Sequence, residues 1–224
     1  MPALEIHLRD LSASLAAAWE EAFAGVPGVS ISQGDIFSTR PGPLPSNAPI
    51  DVAADAVVSP ANSFGFMDGG IDAVYTHQFG FALESRLQAL LAAEHGGELP
   101  VGCAVVVETG SPEIPWCVSA PTMRVPEAVS NTANAYLAFR AALRAVLAHN
   151  AAGRPPIRRV LCPGLATTTG RMPVGRCAAQ MRAAWDNVLG EGPPRRITWG
   201  AVADLQQRLL AEAHRNGQET PISA

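Results

Sequence analysis

The stretch Asp55-Ala56-Val57-Val58-Ser59-Pro60-Ala61-Asn62 joins a short apolar run to a proline and then to an amide side chain. An apolar run of this length predicts a buried strand, which Pro60 closes because proline cannot donate a ladder hydrogen bond. A glycine-bearing loop follows and ends in Gly69-Gly70-Ile71-Asp72, where we predict that a helix begins. Paired glycines allow close approach to a ligand, and the N–H groups of a helix start favour an anion. The same spacing also fits an ordinary loop with Asp72 in the first helical turn.

Outward from this stretch, short strand patterns alternate with amphipathic helical patterns along the whole chain. Strands are predicted at residues 4–8, 29–32, 53–60, 105–108, 116–120 and 159–162. Helices are predicted at 12–23, 69–93 in one or two pieces, 129–147, 177–188 and 201–215, with a proline-rich exposed loop at 41–49. This alternation predicts an α/β sandwich in which helices cover both faces of a central sheet. We expect one α/β domain over residues 1–192 and a C-terminal helical extension of that domain over 193–224.

Composition excludes several classes of function. The chain has 224 residues, which suits one sizeable domain, and its formal net charge of −4 argues against bulk binding of nucleic acid. All sixteen basic residues are arginine. The absence of lysine excludes Walker-A nucleotide binding and the usual Schiff-base and pyridoxal enzymes. No apolar run is long enough to cross a membrane and the first ten residues lack a signal core, so we predict a cytoplasmic protein.

The cysteines and histidines do not form a metal-binding pattern. Cys103, Cys117, Cys162 and Cys177 are far apart and contain no CxxC pair, and the five histidines are scattered. Reduced thiols buried as small hydrophobic groups are therefore expected instead of a disulfide or a zinc site. We predict no metal ion and no cofactor.

Two further segments follow predicted strands. Gln33-Gly34-Asp35-Ile36 is a turn or a ligand contact at the end of the second strand. The segment from Cys162 to Pro173 ends another strand, passes through Thr167-Thr168-Thr169-Gly170 and enters a helix. Threonine hydroxyls and backbone N–H groups can hold phosphate oxygens, although an ordinary polar connection has the same composition. In open α/β sheets ligands bind at the carboxyl ends of the strands, where all three segments are predicted to lie.

Taken together, these segments resemble the macrodomain family, which binds ADP-ribose, over residues 29–189. Gly34-Asp35-Ile36 resembles the family's Gly-Asp-Ile, and the stretch from Asp55 to Asn62 resembles its Asp-Ala-Ile-Val-Asn-Ala-Ala-Asn strand. Gly69-Gly70-Ile71-Asp72 resembles its Gly-Gly-Val-Asp, with Asp72 ten residues after Asn62 as in the hydrolytic branch. Pro100-Val101-Gly102 resembles its Pro-Thr-Gly, and residues 163–173 keep the spacing of its second glycine-bearing loop.

The resemblance implies a three-layer α/β/α sandwich with a central mixed sheet, and it implies a role for each matching residue. Asp35 would accept the adenine amino group beside the backbone of Ile36. Asn62 would orient the distal ribose, and Asp72 would position or activate water there. The diphosphate would lie among Gly69, Gly70, Ile71, Thr167, Thr168, Thr169 and Gly170.

The chain departs from the family pattern at several of these positions. Ser59 replaces a common asparagine, and Asp68 replaces a glycine of the first loop. Thr168 replaces a glycine of the second loop. The aromatic residue that caps the distal ribose is missing from residues 170–172.

Three functions are compatible with the residues. The first is hydrolysis of an ester-linked group from the distal ribose of ADP-ribose, with ADP-ribosylated acidic side chains, O-acetyl-ADP-ribose or ADP-ribose 1″-phosphate as substrates. The second is a non-catalytic reader that binds ADP-ribose, and the third is a remodelled site for another nucleotide or a macromolecular partner. The retained pair of Asn62 and Asp72 favours hydrolysis, whereas the altered loops favour the other two. The expected partner is ADP-ribose or an ADP-ribosylated substrate.

Overall fold

A computed structural model describes residues 4–39, 50–190 and 197–211, so the predicted proline-rich loop at 41–49 lies outside the described residues. The strands are β1 (Glu5–Asp10), β2 (Val29–Gln33), β3 (Ala56–Ser59), β4 (Val105–Glu108), β5 (Trp116–Ser119) and β6 (Arg159–Cys162). The helices are α1 (Ala13–Ala22), α2 (Gly70–Phe79), α3 (Ala82–His95), α4 (Asn134–Ala151), α5 (Val174–Val188) and α6 (Trp199–Leu210). None of the helices in the described ranges is long and apolar enough to span a bilayer.

The six strands form one mixed sheet in the order β2-β1-β6-β3-β5-β4. Every neighbouring pair is parallel except β4 and β5, which are antiparallel. The carboxyl ends of five strands therefore meet at one edge of the sheet. The loops after β2, β1, β6 and β3 follow one another along this edge.

Helices cover both faces of the sheet, which gives three layers. The larger core lies between the sheet and α1, α4 and α5, where Leu15, Trp19, Phe139 and Met181 are fully buried. The smaller core lies on the opposite face beneath α2 and α3. Its fully buried side chains are Met67, Tyr75, Leu83, Leu87 and Leu91. The predicted three-layer sandwich with a mixed sheet is confirmed.

Several predicted boundaries shift for local reasons. The helical region after Gly69 divides into α2 and α3 because Gly80 adopts φ +80° and ends α2. Val129 was expected on the long helix but lies in the loop before α4, where it is nevertheless buried. Of the four thiols, Cys117, Cys162 and Cys177 are buried as predicted, whereas Cys103 is exposed. Burial is the largest cause that raises the pKa of these three thiols, so all three stay protonated near neutral pH.

Candidate functional site

The loops at the carboxyl edge of the sheet enclose a pocket of about 350 Å³. Five strand ends contribute to its walls. The lining residues are 34–36 after β2, 9–11 at β1, 163, 164 and 166–170 after β6, 60–62, 66, 68–72 and 74 after β3, and 122, 123 and 126 after β5. Since neighbouring strands are about 4.8 Å apart, the ends of β2 and β3 are separated by about 14 Å. The pocket is thus elongated along the edge of the sheet.

All residues that the sequence predicts for the site line this pocket. They are Asp35, Ile36, Asn62, Gly69, Gly70, Ile71, Asp72, Thr167, Thr168, Thr169 and Gly170. Their individual roles stay predictions. The pocket also contains side chains that the sequence did not single out, among them Arg9, Asp10, Phe66 and Met123. For Arg9 and Asp10 the available signal was a pair of charges at the end of the first predicted strand.

The Asn62 side chain forms its hydrogen bonds within its own loop. Its Oδ1 accepts hydrogen bonds from the backbone N–H groups of Phe64 (3.0 Å) and Phe66 (3.3 Å). Its Nδ2 donates to the Phe66 carbonyl (2.8 Å). An amide nitrogen carries two donors, so one N–H of Asn62 remains to reach a ligand. Asn62 therefore shapes the loop as well as facing the pocket.

Asp72 is a buried carboxyl group in the first turn of α2, with 6% of its surface exposed. The Ser59 hydroxyl donates a 2.5 Å hydrogen bond to Asp72 Oδ1. The Tyr75 hydroxyl donates to the Val58 carbonyl (3.0 Å). These two hydrogen bonds fix α2 against β3. Burial raises the pKa of the Asp72 carboxyl to about 7 from an ordinary value of 3.8, while the hydrogen bonds from Ser59 and from its own backbone N–H act in the opposite direction. The group can thus exchange a proton near neutral pH.

An Asp72→Asn variant should be more stable than the natural protein above pH 7. The folded carboxyl keeps its proton up to a pKa of about 7, whereas we take the ordinary value of 3.8 for the unfolded chain. Between these values the folded state binds more protons than the unfolded state, so the free energy of unfolding falls as pH rises through this window and then levels off. The shift corresponds to at most about 4 kcal/mol at 1.36 kcal/mol per pKa unit.

Because a buried amide also has a desolvation cost, we expect a net gain of about 1–2 kcal/mol for Asp72→Asn at pH 8. Urea unfolding of both proteins at pH 5 and pH 8 measures it. The gain should shrink toward pH 5, where the natural carboxyl is protonated in the folded state. A gain of the same size at both pH values would show that ionisation of Asp72 is not its cause.

Arg9 fixes the loop that carries Asp35. The guanidinium is buried, and it donates to the carbonyl oxygens of Asp35 (2.6 Å, from Nε) and Ser38 (2.6 Å, from Nη2) and to the Ser32 hydroxyl. A Cβ at Gly34 would lie 2.5 Å from Arg9 Nη2, so any side chain there would displace the guanidinium from its hydrogen bonds. All three acceptors are neutral. Among the described residues that line the pocket, Arg9 is the one cationic side chain, against four aspartates.

The loop after β6 presents backbone donors to the pocket. Among the described residues, no backbone carbonyl accepts a hydrogen bond from the N–H groups of Thr167, Thr168, Thr169 or Gly170. Asp10 holds the start of this loop, because its Oδ2 accepts from the Gly164 N–H (3.0 Å). Such an array of backbone donors suits an anionic ligand.

Two non-glycine residues in the left-handed region flank this turn. They are Ala166 (φ +61°) and Arg171 (φ +53°). Left-handed backbone is unfavourable for residues with a Cβ and is concentrated at ligand-binding sites. Arg171 is exposed and is not among the residues that line the pocket. The Arg171 guanidinium, although next to the turn in sequence, thus does not line the pocket.

Comparison with known proteins agrees with this arrangement. A family model described as "Macro domain" matches residues 58–181. An uncharacterized protein of Aeropyrum pernix is 32% identical over 165 residues, 74% of each chain. A macro domain-containing protein of Streptomyces nogalater is 32% identical over 127 residues, 56% of this chain and 66% of that one.

Solved structures have the same fold. A mutant of the Oceanobacillus iheyensis macrodomain with ADPR gives a TM-score of 0.53 at 17% identity and covers 66% of this chain and 75% of that one. The macrodomain of Mycobacterium tuberculosis DarG gives a TM-score of 0.51 at 20% identity and covers 69% of this chain and 88% of that one. With its pocket at the carboxyl edge of a mixed sheet and a family match over more than half of its length, the chain belongs to the macrodomain family.

Proposed function

We propose that this protein binds ADP-ribose along the carboxyl edge of the sheet and hydrolyses an ester-linked group from the distal ribose. The observation that carries the proposal is the order of the strand ends. Asp35 follows β2, the Thr167–Gly170 donors follow β6, and Asn62 and Asp72 follow β3. A base, a diphosphate and a second sugar occur in the same order along ADP-ribose.

Binding of the diphosphate would depend mainly on the backbone. The pocket has four aspartates against Arg9, so side-chain charge alone does not attract an anion. Unpaired N–H groups in the 167–170 turn and at the start of α2 offer hydrogen bonds that gain strength from the ligand's charge. The related macrodomain of Oceanobacillus iheyensis has been solved with ADPR and with ADP, which supports a ligand of this class.

Hydrolysis would use Asp72 as a general base. The carboxylate accepts a proton from a water molecule as the water oxygen bonds to the ester-linked centre. The bond from that centre to the leaving oxygen breaks, and this oxygen takes up a proton from solvent. A pKa of about 7 suits this step because a useful fraction of the group is ionised at neutral pH and is still a strong enough base. Candidate substrates are ADP-ribosylated acidic side chains, O-acetyl-ADP-ribose and ADP-ribose 1″-phosphate.

A non-catalytic ADP-ribose reader is the second candidate. It is favoured by the engagement of the two proposed catalytic side chains within the protein. Asp72 is bonded to Ser59, and the Asn62 amide is bonded to its own loop. A reader needs this shape but no proton transfer.

Calorimetric titration tests binding. ADP-ribose should bind with one-to-one stoichiometry at micromolar affinity, roughly −8 kcal/mol. Asp35→Ala should weaken binding by about 1–3 kcal/mol, the cost of leaving a buried polar group unpaired. No heat at millimolar ADP-ribose would refute both the hydrolase and the reader.

The matched variant for Asp35 is Asp35→Asn. Asp35 Oδ1 accepts a hydrogen bond from the Phe37 N–H (2.9 Å), which asparagine can keep. Its amide nitrogen would instead present a donor to the adenine amino group. Asp35→Asn should therefore weaken ADP-ribose binding without loosening the loop, whereas full affinity would show that Oδ2 does not contact the base.

A further inference from the structure

Phe66 is an exposed aromatic side chain in the wall of the pocket. Its exposed fraction is 54%, so more than half of this large apolar side chain faces solvent. Among the described residues that line the pocket, it is the one aromatic side chain. Solvent-facing apolar surface inside a binding cleft indicates contact with a ligand, because its desolvation on binding is favourable.

The backbone on either side of Phe66 is fixed. Its own N–H and carbonyl are both bonded to the Asn62 side chain. At the next residue, the Met67 N–H donates to Glu84 Oε2 (2.6 Å), and the Thr76 hydroxyl donates to the Met67 carbonyl (2.7 Å). The Met67 side chain is fully buried in the smaller core. The backbone that carries the exposed ring is thus fixed at the pocket wall.

Phe66 lies at the β3 end of the pocket. It is four residues after Asn62, and the β3 end is separated from the β2 loop by the ends of β1 and β6. The loop after β6 supplies no aromatic ring to this end. Gly170 lines the pocket, Arg171 is exposed and does not line it, and Met172 is buried in the larger core.

We propose that Phe66 is the specificity-determining residue for the second sugar of the ligand. The inference rests on the proposed binding of ADP-ribose and concerns the part of that ligand beyond the diphosphate. The ring packs against the apolar C–H face of the distal ribose, so the sugar lies between Phe66 and the side of the pocket that carries Asp72. A ligand that ends at the diphosphate, such as ADP, does not reach the ring.

The test compares two ligands on three variants. Phe66→Ala should weaken ADP-ribose binding by roughly 5- to 20-fold, as expected for losing burial of part of an aromatic ring, and should leave ADP binding unchanged within about twofold. Phe66→Tyr, which keeps the ring, should restore ADP-ribose affinity. Phe81→Ala is the matched control, because Phe81 is 80% exposed and does not line the pocket. Titration calorimetry gives the affinities, and thermal melting checks that each variant is folded.

The outcomes separate the two proposals. If the natural protein bound no ADP-ribose, the proposed function would fail, and this inference with it. Suppose instead that the natural protein bound ADP-ribose. If Phe66→Ala then weakened the binding of ADP-ribose and of ADP equally, or changed neither affinity, the proposed role of Phe66 would be wrong while the proposed function stood. Failure of Phe66→Tyr to restore affinity would likewise contradict packing by the ring.

Discussion

Replacing Asp72 with alanine should slow release of ADP-ribose from an ester-linked substrate by about 10²–10⁴-fold, the usual contribution of a positioned acid or base. Burial raises the pKa of this carboxyl to about 7, so Asp72 can accept a proton near neutral pH. Its loss would remove the proposed proton acceptor but few of the proposed ligand contacts. ADP-ribose affinity should therefore stay within about tenfold of the natural value.

Ser59 gives a second variant that separates chemistry from structure. The Ser59 hydroxyl bonds to Asp72 and lowers its pKa, although less than burial raises it. In the natural protein the rate should rise with pH through about 7 as Asp72 ionises. Ser59→Ala should move this midpoint to higher pH, because the carboxylate loses a hydrogen-bond donor. A purely structural role for Asp72 predicts no such movement.

Chromatographic measurement of ADP-ribose release decides between the candidates. If the Asp72→Ala variant turned over substrate as fast as the natural protein, the catalytic assignment would be refuted. If neither protein released ADP-ribose from any of the ester substrates, and both bound it, the reader would replace the hydrolase. Asn62→Ala should also slow turnover, through lost orientation of the distal ribose. That variant is less specific, because the same amide holds the backbone of Phe64 and Phe66.

The elements of the fold were predictable because their hydrophobic periods are clear. The buried run before Pro60 and the stripe that includes Cys177 and Met181 became β3 and α5. The order of strands was not readable from pattern, since β1 pairs with both β2 and the distant β6 through contacts of long sequence separation. Yet that order places the loops that carry Asp35, Thr167–Gly170 and Asp72 one after another along the pocket.

Site residues could be predicted only where the local sequence or the family resemblance marks them. Two adjacent glycines before Asp72 signal close backbone approach, and the resemblance to a family identified Asp35 and Asn62. Nothing local to Arg9 indicates that its guanidinium covers Gly34, because that contact joins two strands. Likewise, nothing in the sequence distinguishes Phe66 from the other apolar residues. Only the structure shows that its backbone is fixed by hydrogen bonds and that the residue lines the pocket.

Gly170→Val should lower ADP-ribose affinity by more than about 100-fold, the loss expected when two charge-assisted hydrogen bonds break. A Cβ at Gly170 would lie 2.5 Å from the Ala166 carbonyl oxygen and 2.8 Å from Val129 Cγ2, so the loop must move to accept any side chain. The loop is fixed at this point, because the Gly170 carbonyl accepts from the Val129 N–H (2.8 Å). Moving it would displace the Thr167–Gly170 donors from the diphosphate.

Two controls make this last prediction specific: adenosine as a ligand and a variant of a glycine outside the pocket. Adenosine lacks the diphosphate, so the natural protein should bind it far more weakly than ADP-ribose, and Gly170→Val should change that weak binding little. Gly200→Val is the matched control, since a Cβ there meets nothing within 4 Å and the residue lies on α6, outside the pocket wall. Calorimetry on the three proteins measures both ligands. Equal affinity of the natural protein for adenosine and ADP-ribose would mean that the 167–170 turn does not hold phosphate, because a turn of unpaired N–H groups adds affinity only where the ligand carries the charge.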